Sequence, residues 1–285
     1  MTEASDQNQN TYVIDDKSGA EMARLLDQDR LMTREMGGLF PEREDLAGIS
    51  HILDIACGPG GWTQEVAFAH PEIDVVGIDI SSAMIEHARA QAKVQRLENV
   101  RFEVIDAKKP LPFPDGSFDL VNARLIVGFM LPSGWPALMR ECLRLLRPGG
   151  VLRLTEGEWA WVTSPAFERL QLLFTRALYE SGQSFSATGA HLGITPVLNR
   201  IMREAGFKHI QSKAHGIDLS SGTRAHEGYF NDVRSAFPLV QPFLQKWIGT
   251  TREEMQVLHQ EALTEMLADD FCGLMFIYTI WGEKA

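Results

Sequence analysis

The stretch ILDIACGPGGW, residues 52–62, places an apolar run directly before a loop that is rich in glycine. Four apolar residues interrupted by one acid, Asp54, are typical of a buried strand. Gly58, Gly60 and Gly61 permit backbone angles and close approaches that a Cβ would block. Apolar residues then recur at helical spacing, which predicts a strand, a glycine turn and a helix whose first amides face the loop. We expect a ligand to lie against this loop.

A second apolar run, EIDVVGIDIS at residues 72–81, has an acid near its end. The number of residues between the glycine loop and this acid is typical of nucleotide sites. Asp79 lies 19 positions after Gly60, and an acid about 20 residues beyond such a loop binds ribose hydroxyls. The pair of features favours a nucleoside-containing ligand over a plain strand-to-helix connection. NAD is the first alternative, but a dinucleotide fingerprint that begins at Gly58 requires glycine where this chain has Thr63.

Composition limits the classes of partner. The chain has 285 residues, of which 45% are hydrophobic, and this suits a well-buried globular protein. A net charge of −11 disfavours a large nucleic-acid partner. The cysteines, Cys57, Cys142 and Cys272, show neither metal-ligand spacing nor a disulfide framework, which favours a reducing cytoplasm. The polar start lacks signal-peptide features and the apolar stretch 271–281 is too short to span a bilayer, so we expect a soluble protein without a membrane span.

The middle of the chain alternates strand and helix signals, which predicts an α/β fold with a parallel, doubly wound sheet. Strands are predicted near 51–56, 73–79, 100–105, 118–123 and 150–155. Apolar residues between Met22 and Met32 predict an earlier helix that could cover the glycine loop.

Beyond residue 156 the signals favour helices that are followed by late strands. Pro165 and Pro196 stand at predicted helix starts, and a capping box at 251–254 begins another helix. A sixth strand is expected from Phe207, and the apolar run 271–281 reads as a last strand.

These features resemble the class I S-adenosylmethionine-dependent methyltransferases when they are combined with IDAKKPLPFPDGSFDLV (105–121) and LRLLRPGGVLRL (143–154). The resemblance is close over about 48–156. It departs at Ala56, where the commonest pattern has glycine. The family fold implies a seven-stranded, mostly parallel Rossmann-like sheet whose last strand is antiparallel. It also implies S-adenosyl-L-methionine as the cofactor.

We expect three regions: an N-terminal helical lid (1–47), a cofactor-binding core (48–156) and a C-terminal region that completes the sheet and adds a helical cap (157–285). The segments outside the core are rich in aromatic residues, which could wall an apolar pocket or simply fill the interior of the cap. These residues are Trp159, Trp161, Phe167, Phe174, Tyr179, Phe185, Tyr229, Phe230, Phe237, Phe243 and Trp247.

The resemblance implies a role for each residue of the glycine loop and its neighbouring acids. Asp54 would orient the loop and the amino group of the cofactor. Ala56, Gly58 and Gly60 would let the methionine part lie against the backbone. Asp79 would accept hydrogen bonds from both ribose hydroxyls, a suitable task for a carboxylate.

The adenine end follows in the same way. Ile80 and Met84 would pack on the adenine ring. Asp106 would accept from the adenine amino group and Ala107 would offer its backbone amide. Asp106 could instead be a solvated acid at a strand end.

The resemblance defines the acceptor end of the site less fully than the cofactor end. Asn122 and Arg124 end the fourth strand, where cofactor and acceptor meet in the family, although Arg124 could equally be an ion-pair residue. The stretch 122–129 lacks the motifs of nucleic-acid methylases, so we expect a small-molecule acceptor and no nucleic-acid substrate. Methylation of a protein or RNA, or a non-catalytic cofactor-binding regulator, remains the alternative. Neither His191 nor His226 is assigned as a general base, and oligomeric state is not predicted.

Overall fold

A computed structural model describes residues 13–14 and 19–285. Within these ranges, eight strands form one sheet and eight α-helices surround it. The strands are β1 His51–Ile55, β2 Asp74–Asp79, β3 Val100–Val104, β4 Phe118–Arg124, β5 Leu146–Gly157, β6 Trp161–Val162, β7 Lys208–Asp218 and β8 Gly273–Glu283. The helices are α1 Gly19–Met36, α2 Gly61–Ala69, α3 Ser82–Gln95, α4 Trp135–Leu145, α5 Pro165–Glu180, α6 Leu198–Ala205, α7 His226–Ile248 and α8 Arg252–Met266. Residues 1–12 and 15–18, which belong to the predicted lid, lie outside the described residues.

The sheet runs in the order β3-β2-β1-β4-β5-β8, with β7 on the far edge of β8. Neighbouring strands from β3 to β5 are parallel, whereas β8 pairs antiparallel with both β5 and β7. The predicted doubly wound α/β sheet and its antiparallel last strand are confirmed. The carboxyl ends of β1, β2 and β4 meet at one edge, where ligands bind in such sheets.

The family resemblance predicts seven strands, whereas the structure has an additional short strand, β6. Gly157 of β5 pairs with Ile277 of β8, and Trp161 of β6 pairs with Leu274 on the same edge of β8. β6 therefore continues β5 after a break at 158–160. A two-residue strand has no periodicity of its own, so the sequence contains no signal for it.

Predicted ends also shift where long-range pairing extends a strand. β7 continues to Asp218, seven residues beyond the segment 205–211 that resembles the sixth strand of the family, because its pairing with β8 continues to Asp218. The capping box of α8 is formed as predicted: Thr251 Oγ1 accepts from Glu254 N at 3.1 Å, and the Glu254 carboxylate accepts from Thr251 N at 2.9 Å.

The functional cleft lies between two large apolar clusters. One joins the sheet to α4 and α6, and Trp135 and Leu152 are among its members. The other joins α1, α5, α7 and α8 in a cap above the carboxyl edge, and includes Leu31, Phe167 and Leu258. The second cluster also includes residues of β7 and β8, so the cap packs on this side of the sheet, and the cavity lies between the two clusters.

Candidate active site

A cavity of about 390 Å³ lies at the carboxyl ends of β1, β2 and β4. Its floor is the loop between β1 and α2, and its walls come from α1, α5 and α7. A volume of this size falls in the range of small-molecule sites, about 300 to 1,000 Å³.

The β1–α2 loop is built from left-handed backbone. Ala56, Gly58 and Gly60 have φ angles of 56°, 54° and 82°. A Cβ on Gly60 would lie 2.8 Å from the ring of Phe102, so glycine is required there. Ala56 and Gly58 line the cavity, whereas Gly60 makes the turn into α2 behind it.

Asp54 is a buried carboxylate on the cavity wall, with 4% of its surface exposed. It accepts hydrogen bonds from Thr63 Oγ1 at 2.6 Å and Asn122 Nδ2 at 2.8 Å. Burial raises the pKa of Asp54 to about 6, although the positive charge of Arg124 opposes the shift. The structure places Asn122 behind Asp54, fully buried, and not on the cavity wall where the sequence analysis expects it.

Behind Asn122 lies an ion pair that sequence reasoning missed. Arg153 Nη1 donates to Asn122 Oδ1 at 2.9 Å, and Arg153 Nε donates to Glu42 Oε1 at 2.6 Å. Both charged side chains are only 1% exposed. The Trp62 ring has guanidinium groups near it from Arg124, at 5.5 Å, and from Arg153, at 6.0 Å. Glu42 precedes β1 in an irregular segment, so no local pattern indicates its partner.

Asp79 stands at the end of β2 and faces the cavity. Its Oδ2 accepts from Gly58 N at 3.0 Å and its Oδ1 accepts from Ser81 N at 2.9 Å. A carboxylate that faces the cavity can also accept hydrogen bonds from ligand hydroxyls. Ile80 and Met84 also line the cavity, and they provide an apolar surface beside the acid.

Asp106 and Ala107 continue this wall after β3. Asp106 Oδ1 accepts from Lys108 N at 3.0 Å, and its other oxygen lies 3.8 Å from Lys109 Nζ. The side chain is therefore held at the end of a strand and is also part of the cavity.

The opposite wall is aromatic. Within the described part of the chain, the expected cap aromatics that line the cavity are Trp159, Phe167, Phe174, Tyr229 and Phe237. Pairs of these rings pack edge to face, with centroids 5.3 Å apart for Trp159 and Phe174 and 5.9 Å for Phe167 and Tyr229. The remaining members of the expected set lie outside the lining: Trp161, Tyr179, Phe185, Phe230, Phe243 and Trp247.

Helix α1 closes the cavity through two ion pairs. Arg124, at the end of β4, pairs with Asp29 and also donates to Thr33 Oγ1 at 3.2 Å. Arg124 is thus both an ion-pair residue and a cavity residue. Arg24 Nη1 donates to Asp232 Oδ1 of α7 at 2.7 Å. Neither α1 residue was singled out from the sequence, because the partners are far away along the chain.

Two acids at the end of β5 shape the loops around the cavity. Glu158 lines the cavity and accepts from the backbone N–H groups of Leu192 and Gly193 at 3.0 and 3.1 Å. Glu156 is fully buried and accepts from Ile126 N at 2.9 Å. Burial raises the pKa of Glu156 to about 8. Both acids position backbone, a role that has no sequence motif.

Comparisons with known proteins bear on this geometry. Residues 52–150 match a family described as a methyltransferase domain. The chain is 30% identical over 186 residues to the demethylmenaquinone methyltransferase of Lactococcus lactis, and the match covers 60% of this chain and 71% of that protein. The chain belongs to the class I S-adenosylmethionine-dependent methyltransferases.

Two further similarities extend this result. The methyltransferase is 39% identical over 147 residues to the 27-O-demethylrifamycin SV methyltransferase of Amycolatopsis mediterranei, a match that covers 51% of this chain and 50% of that one. Its fold resembles that of Haemonchus contortus phosphoethanolamine N-methyltransferase 2 in complex with S-adenosyl-L-methionine. That structural match has a TM-score of 0.56 and 18% identity, and covers 94% of this chain and 57% of the other.

The residues of this methyltransferase fit the cofactor of its family, S-adenosylmethionine. Asp79 offers a carboxylate to a diol, and Ile80 and Met84 offer an apolar surface to a purine. Gly58, which carries no side chain, leaves the floor open to a ligand. The acid Asp29 has a buried Oδ2 with no hydrogen-bond partner among the described residues, as expected of a site that receives a polar ligand.

No histidine side chain is part of the cavity lining that the described residues form. His226 Nδ1 instead contacts Leu219 O at 2.9 Å, and His191 lies outside the lining. The described part of this methyltransferase also contains no cluster of His, Cys, Asp and Glu that could hold a metal, and no helix there is long and apolar enough to cross a membrane.

Proposed function

We propose that this enzyme methylates a small, apolar or aromatic molecule that is held beneath the cap. One observation carries the proposal: the residues that suit the cofactor and the five aromatic side chains line the same cavity. The cofactor supplies an electrophilic methyl group, and an apolar wall beside it suits an acceptor with little charge. Exclusion of water favours a reaction in which the charge of the sulfonium disappears.

We assign the three regions of the chain to three tasks. Region 1–47 supplies the lid, 48–156 binds the cofactor and 157–285 sets acceptor choice. Side chains from all three regions line the cavity, for example Asp29, Asp79 and Tyr229, which supports this division.

The cofactor roles that the family resemblance implies are part of the proposal. Asp54, Ala56, Gly58 and Gly60 serve the methionine part, and Asp79 serves the ribose. The adenine is held by Ile80, Met84, Asp106 and Ala107. Asn122 and Arg124 then act differently from each other: Arg124 lines the cavity, whereas Asn122 acts through its hydrogen bond to Asp54.

The position of the cavity beneath the cap favours a small acceptor over a macromolecule. The cavity lies beneath α1, α5 and α7, and its volume of about 390 Å³ is in the range of small-molecule sites. Two of the curated relatives are named for demethylmenaquinone and 27-O-demethylrifamycin SV, which are small molecules.

Labelling tests this proposal. The enzyme is incubated with methyl-labelled S-adenosylmethionine and separate metabolite, protein and RNA fractions of a cell extract, and products are identified by mass. We expect label in an apolar metabolite, and its loss with Asp79→Ala. Label confined to protein or RNA would contradict the small-molecule assignment, and cofactor binding without any labelled product would indicate a regulator.

A further inference from the structure

The lid helix brings a second buried carboxylate to the methionine end of the cavity. Asp29 of α1 lines the cavity, and its side chain is 12% exposed. Its Oδ1 accepts from Arg124 and, at 3.4 Å, from Thr33 Oγ1. Its Oδ2 is buried and has no hydrogen-bond partner among residues 13–14 and 19–285. A buried carboxylate oxygen without a partner is costly, so a ligand donor is expected there.

Asp29 lies against the glycine loop itself. A Cβ on Gly61 would collide with the Asp29 carboxylate, so the bare backbone of this glycine admits the acid. Asp54 is close enough for the charge of Asp29 to raise its pKa further. The two carboxylates therefore share one end of the cavity, beside the loop that the family resemblance assigns to the methionine part.

The charges at this end do not balance. Asp29 and Asp54 face the single guanidinium of Arg124, because Arg153 behind them is already paired with Glu42. Partial burial raises the pKa of Glu65 of α2, and Asp29 is close enough for its charge to raise that pKa further. Asp29 and Asp54 together carry one negative charge more than Arg124 neutralises, and this favours a positive group of a ligand between them.

We propose that Asp29 binds the α-ammonium group of the cofactor, together with Asp54, so that the lid helix takes part directly in cofactor binding. This inference rests on the proposed cofactor site. The Asp29 carboxylate would accept a hydrogen bond from the ammonium and keep its ion pair with Arg124. The methionine part of S-adenosylmethionine carries that ammonium, and the nucleoside part does not.

Two ligands separate this role from a structural one. S-adenosylhomocysteine contains the amino acid, whereas 5′-methylthioadenosine has the same nucleoside and thioether without it. Calorimetry is performed with both ligands on the wild type, on Asp29→Asn and on Asp27→Asn. Asp27 lies on the same helix in an exposed pair with Arg30, so its variant is matched for charge.

We expect Asp29→Asn to weaken S-adenosylhomocysteine binding by about tenfold or more, since a charge-assisted hydrogen bond is lost. Methylthioadenosine affinity should stay within about twofold, and Asp27→Asn should change neither. Asp29→Glu, which keeps the charge, should recover part of the loss and serves if the Asn variant does not fold.

Other outcomes would overturn the assignment. Equal loss for both ligands would show that Asp29 only anchors the lid. Unchanged S-adenosylhomocysteine affinity would show that it makes no contact. If the wild type bound neither ligand, the cofactor site itself would be wrong, which is a different result from selective failure of Asp29.

Discussion

Asp54 is a residue that we expect to lower the stability of the cofactor-free protein and to contribute to cofactor binding. Its carboxylate is almost completely buried, and its two hydrogen bonds do not offset the loss of hydration, since its pKa rises to about 6. A ligand ammonium beside it would favour the charged form. The position is therefore strained electrostatically without the cofactor.

We expect Asp54→Asn to stabilise the cofactor-free protein at neutral pH. In the wild type the folded-state pKa, about 6, exceeds the ordinary value of 3.8. The folded state therefore binds more protons between these values, and stability falls as pH rises through that window. The variant does not titrate, so its advantage should grow from near zero at pH 4 to at most about 3 kcal/mol above pH 7. Thr63 can continue to donate if the amide oxygen faces it, or can reverse its hydrogen bond and accept from the amide nitrogen.

Urea unfolding at pH 4.5 and pH 7.5 measures this difference. A stability gain of equal size at both pH values would argue against a titrating Asp54. Cofactor affinity should fall in the same variant.

Ala56 is a second residue whose conformation has a measurable cost. Its φ of 56° is left-handed, which costs a non-glycine residue roughly 1 to 2 kcal/mol. Ala56→Gly should raise the free energy of unfolding by about 0.5 to 1 kcal/mol, because greater freedom of glycine in the unfolded chain offsets part of the gain. Ala90→Gly on the exposed face of α3 is the control and should lose about 1 kcal/mol. Denaturant titration decides, and loss of stability in both variants would contradict strain at Ala56.

At the level of elements, α1 joins the two halves of the molecule. Leu25 and Asp29 face the glycine loop, and Arg24 and Gln28 contact Asp232 of α7. Residues at i, i+4 and i, i+3 share a helix face, so one side of α1 presents both contacts. A ligand that contacts Asp29 would thereby also fix the position of the cap.

The aromatic wall of the cap should control acceptor binding more than cofactor binding. Trp159→Ala should raise the acceptor KM by about tenfold or more, since a large buried apolar surface is lost, and should leave the S-adenosylhomocysteine Kd within about twofold. Tyr229→Leu should act in the same direction. Steady-state kinetics and calorimetry measure the two effects.

Trp161 is the matched control for this wall. It is 71% exposed and packs on Phe276 outside the cavity, so Trp161→Ala should change neither constant. Phe230 is next to Tyr229 in the sequence but also lies outside the cavity lining. Truncation of Phe230 should therefore change neither the acceptor KM nor the S-adenosylhomocysteine Kd. A larger effect of Trp161→Ala than of Trp159→Ala would disprove the assignment of the wall.

For the whole molecule, cofactor binding should stabilise the fold because the site is shared between sheet, lid and cap. S-adenosylhomocysteine at 100 times its dissociation constant should add about 2.7 kcal/mol to the free energy of unfolding. NAD should add nothing, since Thr63 occupies the position where a dinucleotide site has glycine. Thermal melting with each ligand, and with Asp79→Ala as a binding-deficient control, tests this expectation. Equal stabilisation by NAD would contradict it.

Local chemistry explains why so much of the fold was predictable. The order of strands and helices, the glycine turn after β1 and the capping box at Thr251 depend on residues a few positions apart, and these appear directly as periodicity and turn signals. The acids Asp54, Asp79 and Asp106 also end up on one cavity, because carboxyl ends of parallel strands meet at one edge. Their contacts with the cofactor remain predictions.

Contacts between distant segments depend on tertiary packing alone. Glu42 and Arg153 are 111 residues apart along the chain, and Asp29 and Arg124 are 95 apart, so neither pair leaves a local pattern. The cap aromatics show the same limit. An apolar stripe indicates which side of a helix is buried, but the same residue types occur whether that side packs against protein or lines a cavity. Only the packing of α5 and α7 over the sheet determines that Trp159 faces the ligand space and Trp161 does not.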